Sequence, residues 1–146
     1  MHIKIIFLLL LAALPLSAAD TFVTFTEQSG VVALKGATIG YAESEPQAVQ
    51  IAAASLQQDF ARVMGFSPAL SPLTSHPSPL IFIGTVGFNK QIDQWVKNGK
   101  LANLKGKREK FIITTIDGQV VIAGSDRRGT VFGIYELSRQ MGVSPW

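Results

Sequence analysis

The sequence predicts an α/β domain, a single mixed β-sheet with helices packed on it. Three observations carry that expectation. Apolar runs and helical periodicities follow one another in the order strands, helix, strand, helix, hairpin, helix. Val49, Ala52, Leu56, Phe60 and Val63 recur at three- and four-residue steps, marking a long amphipathic helix. Asp117-Gly118 stands between two β-branched runs, the signature of a tight hairpin with positive φ. A length of 146 residues suits one domain.

The first segment is set aside from the fold. Met1 to Lys4 is a short basic start, Ile5 to Leu14 is unbroken apolar chain, and Leu16-Ser17-Ala18-Ala19 supplies small residues for cleavage. This is the layout of a secretory signal peptide over residues 1–19, leaving a domain over 20–146. The apolar run is far shorter than the ~20 residues that span a bilayer. Export to the periplasm or the extracellular space is expected, with no membrane contact after cleavage.

Within the domain, Thr21 to Thr26 alternates as a strand does, and Val31 to Leu34 follows the turn signal Ser29-Gly30. Thr38 to Tyr41 is a third strand. Ser44 and Gln47 form a capping-box pair, Pro46 suits a first helical turn, and Gly65 ends the long helix. Ser67 to Pro79 is a Pro/Ser loop with room for a short edge strand. Leu80 to Ile83 reads as a buried strand. Asn89 to Asn98 reads as a helix with Ile92, Trp95 and Val96 inward, and Leu101 and Leu104 pack behind it. Lys105 to Lys110 is charged and solvated. Phe111 to Ile116 and Gln119 to Ala123 form the hairpin, and Gly124 to Asp126 is a loop. A last helix runs from about Gly129 to Met141, with Val131, Ile134, Tyr135, Leu137 and Met141 apolar. The connection from Thr38–Tyr41 through the long helix to Leu80–Ile83 is long enough for a parallel crossover.

Composition narrows the function. The 13 basic residues include Lys4 in the leader, so 12 face 10 acids in the domain, a balance of +2. That is too even to argue for nucleic acid or an anionic membrane. There are no cysteines and hence no disulfides. His76, the one histidine of the domain, sits in the Pro/Ser loop without partners for a metal or a triad, so no metal and no cofactor are expected. No spacing among the acids marks a glycosidase-type carboxylate pair, and no catalytic residue is assigned. Gly84-Thr85-Val86-Gly87 lacks the remaining glycines and the Lys of phosphate-binding loops, so it reads as a close strand-to-helix turn.

Ser125-Asp126-Arg127-Arg128-Gly129-Thr130 is the most loaded segment. Asp126 or Ser125 can cap the helix that follows. Arg127 and Arg128 either grip a carboxylate as a bidentate fork or pair with neighbouring acids or another domain.

The run Val121 to Trp146 resembles the end of the N-terminal domain of glycoside hydrolase family 115, the xylan α-1,2-glucuronidases. The matching positions are Gly124 to Thr130, Gly133 to Tyr135 and Gly142 to Trp146. Upstream, Ile81 to Thr85, Ile92-Asp93, Gly99 to Leu101 and the helix Val49 to Gly65 resemble the same domain, so the likeness covers nearly the whole mature chain. Arg108-Glu109 departs from a Trp-Glu common in the family.

The resemblance implies the N-terminal accessory domain of a large exported glycoside hydrolase. The parent would hydrolyse glucuronic acid or 4-O-methylglucuronic acid side chains of glucuronoxylan, using carboxylates in a barrel domain beyond this chain. On that reading the chain is a fragment whose partner is the barrel, as the bulky Trp146 after a helix stop also suggests. Residues 125–130 would face substrate or the domain interface. The alternatives are a free-standing carbohydrate-binding module, with Tyr41, Trp95, Tyr135 or Trp146 as its aromatic platform, and a purely structural interaction domain.

Overall fold

A computed structural model describes residues 22–25, 31–73 and 80–144. Its elements are strand β1 (Thr38–Tyr41), helix α1 (Gln47–Met64), strands β2 (Ala69–Pro72) and β3 (Leu80–Thr85), helix α2 (Lys90–Lys97), a short 3-10 turn (Ala102–Leu104), strands β4 (Phe111–Ile116) and β5 (Gln119–Gly124), and helix α3 (Arg127–Gln140).

The five strands form one mixed sheet in the order β2-β1-β3-β5-β4. All neighbours are parallel except β4, which returns antiparallel to β5. Central β3 is buried at every position, which is why its sequence is continuous rather than alternating: both sheet faces are covered. On one face α1 and α3 pack over Ile39, Ile81, Ile83 and Ile122 through Val49, Leu56, Phe60, Ile134 and Leu137. On the other, α2 and the 3-10 turn cover Leu80, Phe82, Val121 and Ala123 with Ile92, Trp95, Leu101 and Leu104. The Phe82 and Trp95 rings meet in a tilted pair, centroids 5.2 Å apart. Asp117 and Gly118 turn the hairpin with φ of 50° and 75°, as a tight primed turn requires.

Several expectations need correction. Residues 22–25 and 31–34 are not strands; Phe22, Phe25 and Val31 are exposed, while Val23 and Leu34 rest against the core without pairing into the sheet. Thr21, Thr26 and the Ser29-Gly30 turn lie outside the described residues, as do His76 and Trp146. The crossover through α1 leads to edge strand β2, and the chain then passes to β3 on the far side of β1. Pro72 is tolerated because β2 is an edge. The capping box does not form: Pro46 is the N-cap of α1, no side chain caps it, and Ser44 Oγ donates to the Phe88 carbonyl at 2.6 Å.

Val63 and Tyr135 are exposed. Near the end of α1, Met64 rather than Val63 rests against the core. In α3 the inward stripe uses small residues instead. A methyl at Gly133 would meet Ile122 and the Phe111 side chain, so the helix lies too close to the sheet for bulk there.

Candidate functional site

Strands β1, β3 and β5 end on one edge of the sheet, and each is followed by a loop into α1, α2 or α3. Three helix N-termini therefore gather at the carboxyl edge of parallel strands, where open α/β sheets place their ligand crevices. A groove of about 480 Å³ opens there, lined by Pro46, Phe88, Asp126, Arg127 and Arg128. Phe88 leaves 47% of its surface exposed, so the groove carries an aromatic wall beside two guanidinium groups.

The Gly124–Thr130 segment builds one side of it. Gly124 is needed because a side chain would collide with the backbone of Thr130. Ser125 ties down the preceding loop reciprocally: its N–H donates to the Lys110 carbonyl at 2.8 Å and its Oγ accepts from the Lys110 N–H at 3.0 Å. Asp126 is the N-cap of α3, accepting from Gly129 N–H at 2.8 Å through Oδ1. Its Oδ2 accepts from Glu109 N–H at 2.7 Å. These backbone donors, from Glu109 first and then Gly129, hold its carboxyl below the usual aspartate range. Helix α3 thus begins at Arg127, two residues before the predicted start.

The arginines behave differently. Arg128 Nη1 pairs with Glu109 Oε1 at 2.8 Å, and the guanidinium lies 5.7 Å from the Phe132 ring centroid. Arg127 is exposed and has no ion-pair partner among the described residues. Gly129 lets the helix sit on the Lys110 carbonyl, which a methyl would strike. Thr130 Oγ1 donates back to the Asp126 carbonyl at 3.1 Å and lies 2.7 Å from Thr85 Oγ1.

Glu45 had no special mark in the sequence beyond standing before Pro46 at a strand-to-helix junction. It is only 3% exposed, and its Oε1 accepts from Thr85 N–H at 2.9 Å. Oε2 is buried without a hydrogen-bond partner among the described residues. Burial raises its pKa; donation from Thr85 and the Asn89 side chain works against that, and the nearby Asp93 charge adds to it. Pro46, marked in the sequence only as a first-turn residue, and Phe88 do not stand out there as groove residues, since a wall formed by loop residues has no periodic signal. The Lys105–Lys110 segment has exposed side chains, as expected, but its Glu109-Lys110 backbone is clamped to α3.

Two other readings can be placed. The Gly84–Gly87 turn offers no anion cradle. Thr85 N–H is held by Glu45, Val86 N–H by the Gly124 carbonyl, Gly87 N–H by Asp93 at 2.8 Å, and the N–H groups of Phe88 and Asn89 by the Thr85 carbonyl. Asn89 Oδ1 caps α2 through Gln91 and Ile92. For an aromatic platform, Trp95 is buried in the core and Tyr41 rests against it, leaving Tyr135 exposed on α3. Among the described residues no His, Cys, Asp and Glu cluster could hold a metal.

The described residues thus form a three-layered α/β domain with a loop-built groove at the carboxyl edge of its parallel strands. Residues 28–137 match the family described as Glycosyl hydrolase family 67 N-terminus. The chain belongs to that family of glycoside hydrolase N-terminal domains. A solved structure described as a novel family GH115 4-O-methyl-alpha-glucuronidase, BtGH115A, with specificity for decorated arabinogalactans, is 34% identical with a TM-score of 0.61, over 76% of this chain and 14% of that one. The structure of CpGH84D shares the fold at 12% identity and a TM-score of 0.55, over 75% of this chain and 18% of that one. No curated protein sequence matches. The chain thus spans a small part of the length of the solved enzymes it resembles.

Proposed function

We propose that this chain is the N-terminal accessory domain of an exported α-glucuronidase that hydrolyses glucuronic acid or 4-O-methylglucuronic acid side chains from a polysaccharide. The observation that carries this reading is the 34% identity to a 4-O-methyl-alpha-glucuronidase across three-quarters of the chain. Glucuronoxylan is the substrate expected from the sequence resemblance. The relative's specificity for decorated arabinogalactans makes glucuronate-bearing arabinogalactan the second polymer to test. Catalysis belongs to a following barrel domain, and the groove face supports it. Arg127, without an ion pair among the described residues, is the residue assigned to the cleft wall, where its planar fork suits a sugar carboxylate. Arg128, held by Glu109 and Phe132, positions that wall. Export rests on the leader-like segment Met1 to Ala19, and the exported product is expected to begin at Asp20.

The test compares this chain with the gene product that continues past Trp146, on both polysaccharides. The longer enzyme should release 4-O-methylglucuronic acid and this chain alone should release none. Release by this chain, or a longer enzyme that liberates only neutral sugars, refutes the assignment.

A further inference from the structure

Positive charge is unevenly distributed. Lys105, Lys107, Arg108, Lys110, Arg127 and Arg128 are all exposed, and the two acids interleaved with them are Glu109 and Asp126. Six cations against two anions leave this region at +4, whereas the remaining 6 cations and 8 anions of residues 20–146 sum to −2. The near-neutral total therefore hides a basic ridge.

The fold brings the two halves of that ridge together. Asp126 accepts from Glu109 N–H, Ser125 and Lys110 exchange two hydrogen bonds, and Arg128 reaches Glu109. Glu109 sits at φ 53°, a left-handed conformation uncommon for a residue with a side chain. Neither acid neutralises the ridge much further: Asp126 is held by backbone donors and Glu109 by Arg128. Among the described residues the other five cations have no ion pair. Exposed rings of Phe88 and Phe132 flank the arginines.

We propose that this ridge is a docking surface for a polysaccharide bearing carboxylates at several points along its length, outside the single contact assigned to Arg127. The inference rests on the α-glucuronidase reading, which supplies a uronate-bearing polymer. Six cations on two adjoining segments are more than one carboxylate needs. Separated lysines and arginines suit separated carboxylates, and exposed rings offer apolar faces to sugar rings. The surface would hold the polymer while the following domain acts on a side chain.

Affinity electrophoresis of the full chain in glucuronoxylan gels tests this. The chain should be retarded by glucuronoxylan at low salt and released at ~0.5 M salt, where screening reaches within a few Å. Carboxyl-reduced glucuronoxylan should not retard it. The Lys105→Gln/Lys107→Gln variant, at positions with no ion pair among the described residues, should bind at least about fivefold more weakly, because it removes two cations from the local field. The Lys90→Gln/Lys97→Gln variant makes the same charge change on α2 and should bind as the parent does. Circular dichroism checks that both variants are folded. Equal retardation by the carboxyl-reduced polymer, unchanged binding by the ridge variant, or equal weakening by the α2 variant overturns the proposal. Such a result with glucuronidase activity intact in the longer enzyme removes the ridge alone; absence of that activity removes the earlier reading.

Discussion

Asp126 joins helix α3 to the loop before β4, and its replacement separates two kinds of stabilisation. In Asp126→Ala the helix loses its N-cap bond to Gly129, worth about 1 kcal/mol. It also loses the 2.7 Å bond from Glu109 N–H, a charge-assisted bond worth roughly 1.5 kcal/mol. The expected cost is therefore about 2–3 kcal/mol, with the Glu109 backbone released from its positive φ. Asp126→Ser keeps a capping hydroxyl but is too short to hold both donors, so it should cost about 1–1.5 kcal/mol. The acid limb gives an independent reading. Because the folded pKa is depressed, the unfolded chain takes up the proton first as pH falls. The stabilisation is complete above the ordinary aspartate value of 3.8 and is lost as pH falls from there through the folded value. Urea unfolding followed by circular dichroism, at neutral pH and across the acid range, measures all of this. Equal losses in the Ala and Ser variants, or losses below about 0.5 kcal/mol, would refute the two-bond account.

Other expectations follow from single contacts. Gly124→Ala drives a methyl into the Thr130 backbone and should cost about 3 kcal/mol or prevent folding, measured by thermal unfolding. Phe60→Ala, at 0% exposure on the buried face of α1 and beside Phe66, should cost about 3–5 kcal/mol by the same measurement. Arg128→Met removes an exposed ion pair and a cation–ring contact and should cost less than about 1 kcal/mol. Glu45 has a raised pKa, so the native state holds its proton more tightly than the unfolded chain. Stability should fall as pH rises from the ordinary glutamate value of 4.5 through the raised one, then level off. Glu45→Gln should remove that slope, and a gap between wild type and variant that does not change with pH would contradict it.

The sequence made the buried strands and the helices legible because each has a period or a continuous apolar run tied to burial. Leu80–Thr85 is apolar throughout because two layers cover it, and the hairpin is readable because Asp-Gly accepts positive φ. Failures occur where local pattern competes with distant contacts. The alternation of Thr21–Thr26 looks like a strand, yet residues 22–25 form none. Ser44 and Gln47 have capping-box spacing, but Ser44 is drawn to the Phe88 carbonyl, forty-four residues away. The candidate site was half legible. Ser125 to Thr130 stood out by composition, whereas the roles of Glu109 and Lys110 depend on a clamp between segments that sequence does not place side by side. Glu45 is a buried carboxylate that looks like any acid before a helix.

The Gly124–Thr130 segment, which carries the family resemblance, has a structural task at six of its seven positions. Gly124 and Gly129 permit close backbone approach, Ser125 and Asp126 fasten the preceding loop, Arg128 pairs with Glu109, and Thr130 reaches Thr85. Its likeness to glycoside hydrolase N-terminal domains thus identifies a way of closing β5 onto α3 and says little about which sugar is met. Arg127 is the exception: among the described residues its side chain has no ion-pair partner, and it lines the groove. Specificity differences among such domains should therefore follow residue 127, Phe88 and the 105–110 segment rather than the motif as a whole. Arg127→Gln should leave the unfolding midpoint within about 0.5 kcal/mol of wild type, since exposed groups without partners contribute little. Uronate binding should nevertheless weaken in the same variant. A large stability loss in Arg127→Gln would show that all seven positions serve the fold.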